Sequence, residues 1–207
     1  MTIIYLIRHA ENDFLGENKK LAGWLPGVHL NERGEKQAEA LSKYLAKVRF
    51  RAVYSSPLER TMETAAPIAA VQNLPIEARE GLGEIHYGTW EGRSLSVLRR
   101  RKLWPTIQYI PSLARFPKGE SFVEAQARAV AEIEDIRGIH ASRKSFIACI
   151  THADIIKLIL AYYLGLPLDL FQRLSVAPAS MSVLQLDQGI RLIKLNDTSA
   201  AHMMKDG

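Results

Sequence analysis

Two short apolar runs of this chain each end in a histidine, and this pattern restricts the fold more than any other feature. The run "IIYLIRH" places Arg8 and His9 directly behind Ile7, and the run "FIACITH" ends in His152. An apolar run of roughly four to eight residues is typical of a strand buried on both faces, and such strands belong to parallel sheets covered by helices. Ligands bind beyond the carboxyl ends of such strands. We therefore expect a ligand where these polar side chains lie.

Helical and strand patterns alternate along the rest of the chain. Helices are predicted over 30–48, 56–71, 120–139 and 152–167, strands over 3–7, 51–56 and 145–151, and a hairpin over 181–196 that turns near residues 187–189. Residues 79–94 should be irregular, residues 94–103 should form a short basic helix, and prolines should make 105–117 mostly loop. Strands that alternate with helices predict an α/β fold, a three-layer α/β/α sandwich around a mostly parallel central sheet.

Capping residues set the expected helix boundaries. Asn31 has the side chain of an N-cap for the first helix. Ser56, Pro57 and Glu59 form the pattern of a capping box at the start of the second helix. Pro67 lies within that second helical pattern, and we expect it to kink the helix or to end it early.

Length and composition indicate one globular domain over residues 1–207. Apolar residues make up 47% of the chain, enough for a sizeable core. No apolar run approaches the ~18 residues that span a membrane. Met1 is followed almost at once by the first strand, with no secretion signal, so a cytoplasmic protein without membrane contact is expected. The lone Cys149 lies in an apolar run, which predicts a core thiol and excludes disulfides and thiolate zinc sites.

The net charge of +5 is compatible with nucleic acid, with anionic small substrates or with no specific partner. The densest basic run is "LRRRK" at 98–102. On a helix these side chains would fan around the axis, so a solvated surface is the simpler interpretation. Because no nucleic-acid-binding motif accompanies the run, we expect no nucleic-acid partner.

The strand ends and one helix start bring cations and imidazoles toward one point. If the strands are neighbours, Arg8, His9 and His152 meet at one edge of the sheet, and Arg60 joins them from the first turn of the second helix. Each residue alone has a simple structural explanation, because strand-end histidines are commonly structural and helical arginines are commonly solvated. Together with a helix N-terminus they form surroundings that suit phosphate, whose oxygens match the fork of a guanidinium.

Five blocks of sequence, in their order and spacing, extend this interpretation. They are "LIRHAEN", "SSPLERTMETA", "GLGEIHYGTWEG", "KGES" and "THADII", which run from residue 3 to about residue 160. These blocks resemble the histidine phosphatase superfamily, in the branch that includes cofactor-dependent phosphoglycerate mutases and fructose-2,6-bisphosphatase. The resemblance implies a phosphoglycerate mutase-like α/β/α fold and phosphoryl transfer through a phosphohistidine.

The resemblance also implies a role for each matching residue. His9 would be the nucleophile, Arg8 and Arg60 would clamp the phosphoryl oxygens, His152 would complete the phosphate pocket, and Glu84 would protonate the leaving group. The chemistry agrees, because a neutral imidazole can split a difficult hydrolysis into two displacements. Fixed cations suit the charge on the transferring group, and a carboxyl beside a phosphate dianion can have a raised pKa.

Two positions depart from the family pattern. The family usually has an asparagine six residues after the nucleophile, where this chain has Leu15. Asn12 or Asn18 could supply the amide instead, and Asn12 is taken as the phosphate-binding residue. The common "GGES" reads "KGES" here, with Lys118 in place of the first glycine.

Two further residues of the glycine-rich loop have competing interpretations. His86 is a second candidate acid or substrate contact, although an exposed loop histidine is the simpler interpretation. Trp90 is expected to pack the loop onto the domain. A metal site built from His9, Glu84, His86 and His152 lacks compact ligand spacing. Because the arginines and histidines supply the charge, we expect neither a metal nor another cofactor.

Three functions are compatible with these residues. In a phosphomonoester hydrolase, water resolves phospho-His9; in a phosphoglycerate-type mutase, the phosphoryl group returns to a different hydroxyl; the third is a non-catalytic phosphate-binding module. No core position is missing, which disfavours the third. A mutase must cover its intermediate against water. Only about 36 residues separate Glu84 from the helix at 121, so we expect a hydrolase.

Residues 94–118 are expected to cover the pocket. With their neighbour Arg93 they supply cations that suggest a second anionic group on a small phosphorylated substrate, namely Arg93, Arg99, Arg100, Arg101, Arg115 and Lys118. The sequence identifies neither the substrate nor the oligomeric state, for which a homodimer is one option.

Overall fold

The computed structural model describes residues 1–15, 19–141 and 144–202. Its strands are β1 (Thr2–Arg8), β2 (Ala52–Ser55), β3 (Ile76–Ala78), β4 (Ser145–Thr151), β5 (Met181–Leu186) and β6 (Ile190–Asp197). Its helices are α1 (Glu32–Leu45), α2 (Glu59–Gln72), α3 (Leu95–Leu98), α4 (Trp104–Tyr109), α5 (Phe122–Ile139), α6 (Ala153–Tyr163) and α7 (Ser199–His202). Among the described residues, no helix is both long enough and apolar enough to cross a membrane.

The six strands form one sheet in the order β3-β2-β4-β1-β5-β6. β3, β2, β4 and β1 run parallel to one another, whereas β5 pairs antiparallel with β1 and with β6. The predicted mostly parallel sheet and the C-terminal hairpin are therefore confirmed. β1 and β4 are adjacent, with Arg8 opposite Thr151, so the residues that follow these two strands leave the sheet side by side.

Helices cover both faces of the sheet, which confirms the three-layer α/β/α arrangement. α5 and α6 pack on one face, where Leu6 and Cys149 point, and α1 and α2 pack on the other, where Ile7 and Ile150 point. Since successive side chains of a strand alternate between faces, a central strand covered on both sides must be apolar at nearly every position. The apolar runs of β1 and β4 meet this requirement. Cys149 is fully buried, as predicted.

The start of the second helix was predicted two residues too early. The N-cap is Leu58 rather than Ser56, and no side chain caps the helix. Ser56 instead uses its hydroxyl in a contact with His152 across the sheet edge. Pro67 does not end the helix, which continues to Gln72. The Asn31 cap of α1 is confirmed, since its side chain accepts the Gly34 N–H at 2.9 Å.

The middle of the chain differs from the prediction in two ways. The basic helix is only α3, and the backbone turns after Leu98. The proline-containing segment holds α4, which Pro105 permits because it lies in the first turn, where its missing N–H is tolerated. The short strand β3 and the four-residue α7 were not predicted.

Gly34 of α1 lies against the loop that follows β1. A Cβ at this position would lie 2.0 Å from the carbonyl oxygen of Glu11, two residues beyond His9. The same carbonyl accepts the Asn31 N–H at 3.2 Å. The close approach of two backbones therefore fixes how the post-β1 loop sits on α1.

We predict that Gly34→Ala destabilises the protein by about 1–3 kcal/mol, because the new methyl group must displace backbone rather than a flexible side chain. This is the opposite of the roughly 1 kcal/mol gain that helix propensity alone would give. Gly138→Ala in α5 is the matched control, because nothing lies within 4 Å of its added Cβ. Urea unfolding should show a lower midpoint for Gly34→Ala only. Equal midpoints would contradict the close packing.

Candidate active site

The two strand-end histidines meet at the carboxyl edge of the sheet. His9 and His152 directly follow the adjacent strands β1 and β4, and their rings lie 5.3 Å apart between centroids. The His9 N–H donates to the Thr151 carbonyl at 2.9 Å, which ties the two strand ends together. Both histidines are buried. The convergence that the sequence pattern predicted is therefore present.

The hydrogen bonds of His9 fix which ring nitrogen can react. Its Nδ1 lies 2.7 Å from the carbonyl oxygen of Ala10, so Nδ1 must carry the proton and donate it to that oxygen. The other nitrogen, Nε2, then holds the free lone pair. A neutral His9 therefore presents Nε2 as a nucleophile.

His152 has the opposite tautomer. Its Nδ1 lies 3.3 Å from Nη2 of Arg60, which can only donate, so Nδ1 accepts. Its Nε2 then carries the proton and donates to the Ser56 hydroxyl at 2.9 Å. This contact explains why Ser56 is not the cap of α2. His152 thus orients the Arg60 guanidinium from the side.

The half-buried Arg8 and the buried Arg60 flank the imidazoles, and neither forms a salt bridge with a described carboxylate. Arg8 donates from Nη1 to the Val176 carbonyl at 2.7 Å, and Arg60 donates from Nη2 to the Gly23 carbonyl at 2.9 Å. Nε of Arg8, and Nε and Nη1 of Arg60, are buried without a hydrogen-bond partner among the described residues. Buried charged groups without partners are costly. The site is therefore built for an anion.

The cations and the burial act together on the two imidazoles. The pKa of His9 lies well below its usual value, first because of burial and then because of Arg60 and Arg8. The pKa of His152 is also well lowered, by burial and then by Arg60. Both rings are consequently neutral at neutral pH, as a nucleophile requires.

Glu84 is an acidic group that lies next to His152. Its Oε2 lies 3.8 Å from Nδ1 of His152, and its side chain is 12% exposed. Burial, and then the nearby Asp154 carboxylate, raise the pKa of Glu84 to about 7, against the opposing effects of Arg60 and the Ile85 N–H. A carboxyl with this pKa can give or take a proton near neutral pH.

Arg128 of α5 holds the loop that carries Glu84. It donates from Nη1 to the carbonyl oxygens of Glu80, Gly81 and Gly83 at 3.0–3.2 Å, and from Nη2 to that of Glu84 at 3.2 Å. It also pairs with Glu120 at 2.7 Å, and Glu120 accepts the His86 N–H. The "KGES" block is therefore one support of the Glu84 loop.

The departure at Lys118 has a local consequence. Lys118 has a φ of 59°, a left-handed conformation that glycine adopts without steric cost. The loop nevertheless keeps its close packing, because a Cβ on Gly119 would lie 2.1 Å from the His86 carbonyl oxygen. The change from glycine to lysine is thus accommodated by the backbone of residue 118 alone.

A cavity of about 270 Å³ opens in front of His9. The predicted residues that line it are Arg8, His9, Asn12, Arg60 and Glu84. His152 lies behind them, in contact with Arg60. The sequence analysis missed the other polar lining residues, which are Lys19, Lys20, Tyr87, Asp154 and Lys157. Asp154 and Lys157 could have been found, because they lie in the first two turns of the helix that follows His152.

The missed residues form a polar wall. Asp154 accepts the Tyr87 hydroxyl at 3.1 Å and pairs with Lys157 at 3.1 Å. Lys19 and Lys20 come from the loop after β1, opposite this wall. The cavity therefore carries three ammonium groups beyond the two guanidiniums.

Asn12 lies in the cavity wall and is almost fully buried. Its Oδ1 accepts the Phe14 N–H at 3.0 Å, which leaves Nδ2 as the donor of this amide. Leu15 also lines the cavity, but with an apolar side chain. Asn18, the other candidate amide, lies outside the described residues.

Several residues that the sequence singled out lie away from the cavity. His86 is exposed and stacks on Trp24 at 4.4 Å, so it cannot complete a metal site with His9 and His152. Trp90 packs between aromatic rings, as predicted. From residues 94–118, only Leu95 lines the cavity, and none of the six arginine and lysine side chains expected to reach the substrate does so.

Known proteins resemble this chain along nearly its whole length. The family model described as the histidine phosphatase superfamily (branch 1) matches residues 4–198. The chain is 29% identical to phosphoserine phosphatase 1 of Hydrogenobacter thermophilus, over 96% of this chain and 93% of that protein. It is also 29% identical to the 2,3-bisphosphoglycerate-dependent phosphoglycerate mutase of Thermoplasma acidophilum, over 96% and 94%. The solved structure of Bacillus stearothermophilus YhfR has a TM-score of 0.89 at 28% identity, and the match covers 97% of this chain and 99% of that one.

We predict that Arg60→Lys weakens the binding of inorganic phosphate, because an ammonium group cannot reproduce the two unpartnered donors of this guanidinium. The loss of a hydrogen bond to a charged group costs about 1.5–3 kcal/mol, which is roughly a ten- to 150-fold rise in Kd. Isothermal titration calorimetry measures this directly. Arg137→Lys on the exposed side of α5 is the control and should bind like the parent. Equal affinity in both variants would exclude Arg60 from the anion site.

Proposed function

This chain belongs to branch 1 of the histidine phosphatase superfamily, and we propose that it is a phosphatase that hydrolyses a small phosphomonoester through a phosphohistidine on His9. One observation carries the proposal. A neutral imidazole with a free Nε2 lies between two guanidiniums that have buried N–H donors without a hydrogen-bond partner among the described residues. The proposed nucleophile and the proposed anion-binding groups therefore lie next to each other.

The first step transfers the phosphoryl group to His9. Nε2 attacks phosphorus, the bond from phosphorus to the leaving oxygen breaks, and the protonated Glu84 gives its proton to that oxygen. Arg8 and Arg60 offer their unpartnered N–H groups to the phosphoryl oxygens, where charge must be held throughout the transfer. The Ala10 carbonyl holds the Nδ1 proton, so His9 can share its developing positive charge with that oxygen.

The second step returns the enzyme to its starting state. Glu84, now a carboxylate, accepts a proton from water as the water oxygen attacks phosphorus. The bond between phosphorus and Nε2 breaks, and phosphate leaves the arginine pair. One residue can serve both steps because its pKa of about 7 lets both protonation states exist near neutral pH.

Hydrolysis is favoured over mutase activity by the sparse cover of the cavity. The comparisons alone do not separate the two activities, because a phosphatase and a mutase are equally similar to this chain. A mutase must exclude water from the phosphohistidine. In the described part of the chain, residues 94–118 contribute only Leu95 to the cavity. Water therefore has access to the intermediate.

The charges around the cavity support a substrate with a second anionic group. Lys19, Lys20 and Lys157 line the cavity beyond the arginine pair, and Asp154 lies beside Lys157. A small carboxylate-bearing phosphomonoester fits such a wall. The single-domain organisation, the covering role of 94–118, the cytoplasmic location and the independence from metals and cofactors stay predictions, and the oligomeric state stays open.

We predict that substrate labelled with ³²P leaves a base-stable, acid-labile label on the protein, because phosphohistidine is a phosphoramidate. His9→Ala should carry no label and should lose turnover. A label on serine or aspartate, or near-normal turnover of His9→Ala, would exclude the mechanism. The same preparation, supplied with 3-phosphoglycerate and 2,3-bisphosphoglycerate, should release phosphate faster than it forms 2-phosphoglycerate. Faster isomerisation would instead identify a mutase.

We also predict a leaving-group effect for Glu84→Gln. An alkyl alcohol needs a proton as it departs, whereas para-nitrophenolate does not, so in single-turnover release of the alcohol the variant should lose about 10²–10⁴ in rate on an alkyl phosphate and much less on para-nitrophenyl phosphate. In the parent, the rate on the alkyl ester should fall above about pH 7, as Glu84 loses its proton. The variant should lack this alkaline limb.

The control for this prediction is Glu80→Gln, which changes an exposed carboxyl in the same loop. It should keep the parent's pH profile and the parent's ratio of the rates on the two substrates. Equal loss of the single-turnover rate on both substrates by Glu84→Gln would assign Glu84 to binding or folding. A selective loss in His86→Ala would move the acid role to His86.

A further inference from the structure

A second cavity, of about 610 Å³, lies on the surface formed by the glycine-rich loop and the segment after α3. It shares no lining residue with the active-site cavity. Its cationic lining residues are Arg93, Arg100, Arg101 and Lys102. Its remaining lining residues are Thr89, Trp90, Leu98, Leu103 and Pro117, so no carboxylate lines it. We call this feature the basic cavity.

The basic cavity forms because the run "LRRRK" does not continue as a helix. α3 ends at Leu98, and the backbone then makes consecutive turns, with the Arg101 N–H donating to the Leu98 carbonyl and the Trp104 N–H donating to the Arg101 carbonyl. The predicted helix over this run is therefore wrong, whereas the predicted exposure is confirmed, since Arg99, Arg100, Arg101 and Lys102 are all exposed. Three cations of the run line one concavity together with Arg93.

The four cations of the basic cavity have no counterions in the described chain. None of them forms an ion pair with a described residue. Some surface arginines are paired, since Arg79, Arg115 and Arg137 each contact at least one carboxylate. The basic cavity differs from single unpaired surface arginines because four cations line one concavity that no described carboxylate lines. Like charges gathered in one concavity repel each other unless an anion neutralises them.

We propose that the basic cavity binds a small polyanion that carries two or more phosphate groups. Its volume lies within the roughly 300–1,000 Å³ of small-molecule sites, and its cations surround one concavity rather than following an extended stripe. Three of the four cations are arginines, whose planar forks suit phosphate oxygens. Trp90, Leu98 and Leu103 are the apolar residues that line the same concavity, next to these exposed cations.

The test uses inorganic tripolyphosphate as the probe and isothermal titration calorimetry as the measurement. Arg101→Glu should raise the Kd by about tenfold or more, because it puts a negative charge among the remaining cations. Arg99→Glu is the matched control. It makes the same charge change in the same run, and Arg99 is exposed like Arg101 but does not line the basic cavity. It should raise the Kd by no more than about threefold, through long-range electrostatics alone.

Both variants should hydrolyse phosphomonoesters like the parent, which shows that they are folded. Arg100→Glu serves as the second cavity variant if Arg101→Glu fails to fold. Equal losses in Arg101→Glu and Arg99→Glu would overturn the proposal, and so would complete displacement of tripolyphosphate by orthovanadate, which would place the probe in the active site. Tighter binding of a single-stranded oligonucleotide than of tripolyphosphate would replace the small polyanion with nucleic acid.

Discussion

Two guanidiniums whose buried N–H donors have no partner among the described residues are the constraint on which the rest of the site depends. Arg8 and Arg60 are held by the carbonyl oxygens of Val176 and Gly23, which accept hydrogen bonds but leave the charge in place. A protein that only needed stability would pair or replace such groups, because unpaired buried charge is costly. β1 holds Arg8 in place, and the start of α2 holds Arg60. Binding of an anion would neutralise the charge of the two guanidiniums.

The same burial prepares the acid and the nucleophile in opposite ways. Low polarity disfavours the charged form of any group, so it lowers the pKa of His9 and raises that of Glu84. The arginines add to the effect on His9 but oppose the effect on Glu84, where Asp154 adds to the effect of burial. The proposed reaction starts from the neutral form of both groups, the imidazole with a lone pair and the carboxyl with a proton. One environment thus sets both roles.

Features that neighbouring residues determine could be predicted from the sequence, whereas features that depend on residues far away in the chain could not. Arg8, His9 and His152 were predicted as site residues because an apolar strand that ends in polar residues places those residues at the edge of the sheet. Ser56 was misassigned because its hydroxyl serves a partner 96 residues away, and that contact overrides the capping pattern. Arg128 gave no signal, since a helical arginine looks the same whether it faces water or four carbonyl groups.

The number of charged residues in a segment is a poor guide to the site for a related reason, because it does not show which way the side chains point. The arginines of 93–101 were expected at the active site, yet Arg93, Arg100 and Arg101 surround a separate cavity, and lysines from the post-β1 loop and α6 supply the active-site charge instead. The segments that line the two cavities are nevertheless hydrogen-bonded to each other. The Leu21 N–H donates to the Arg93 carbonyl at 3.0 Å and the Gly92 N–H donates to the Leu21 carbonyl at 2.7 Å, so the segment that carries Lys19 and Lys20 is backed by the segment that carries Arg93. The backbone pairing separates two groups of cations that the sequence alone would merge into one.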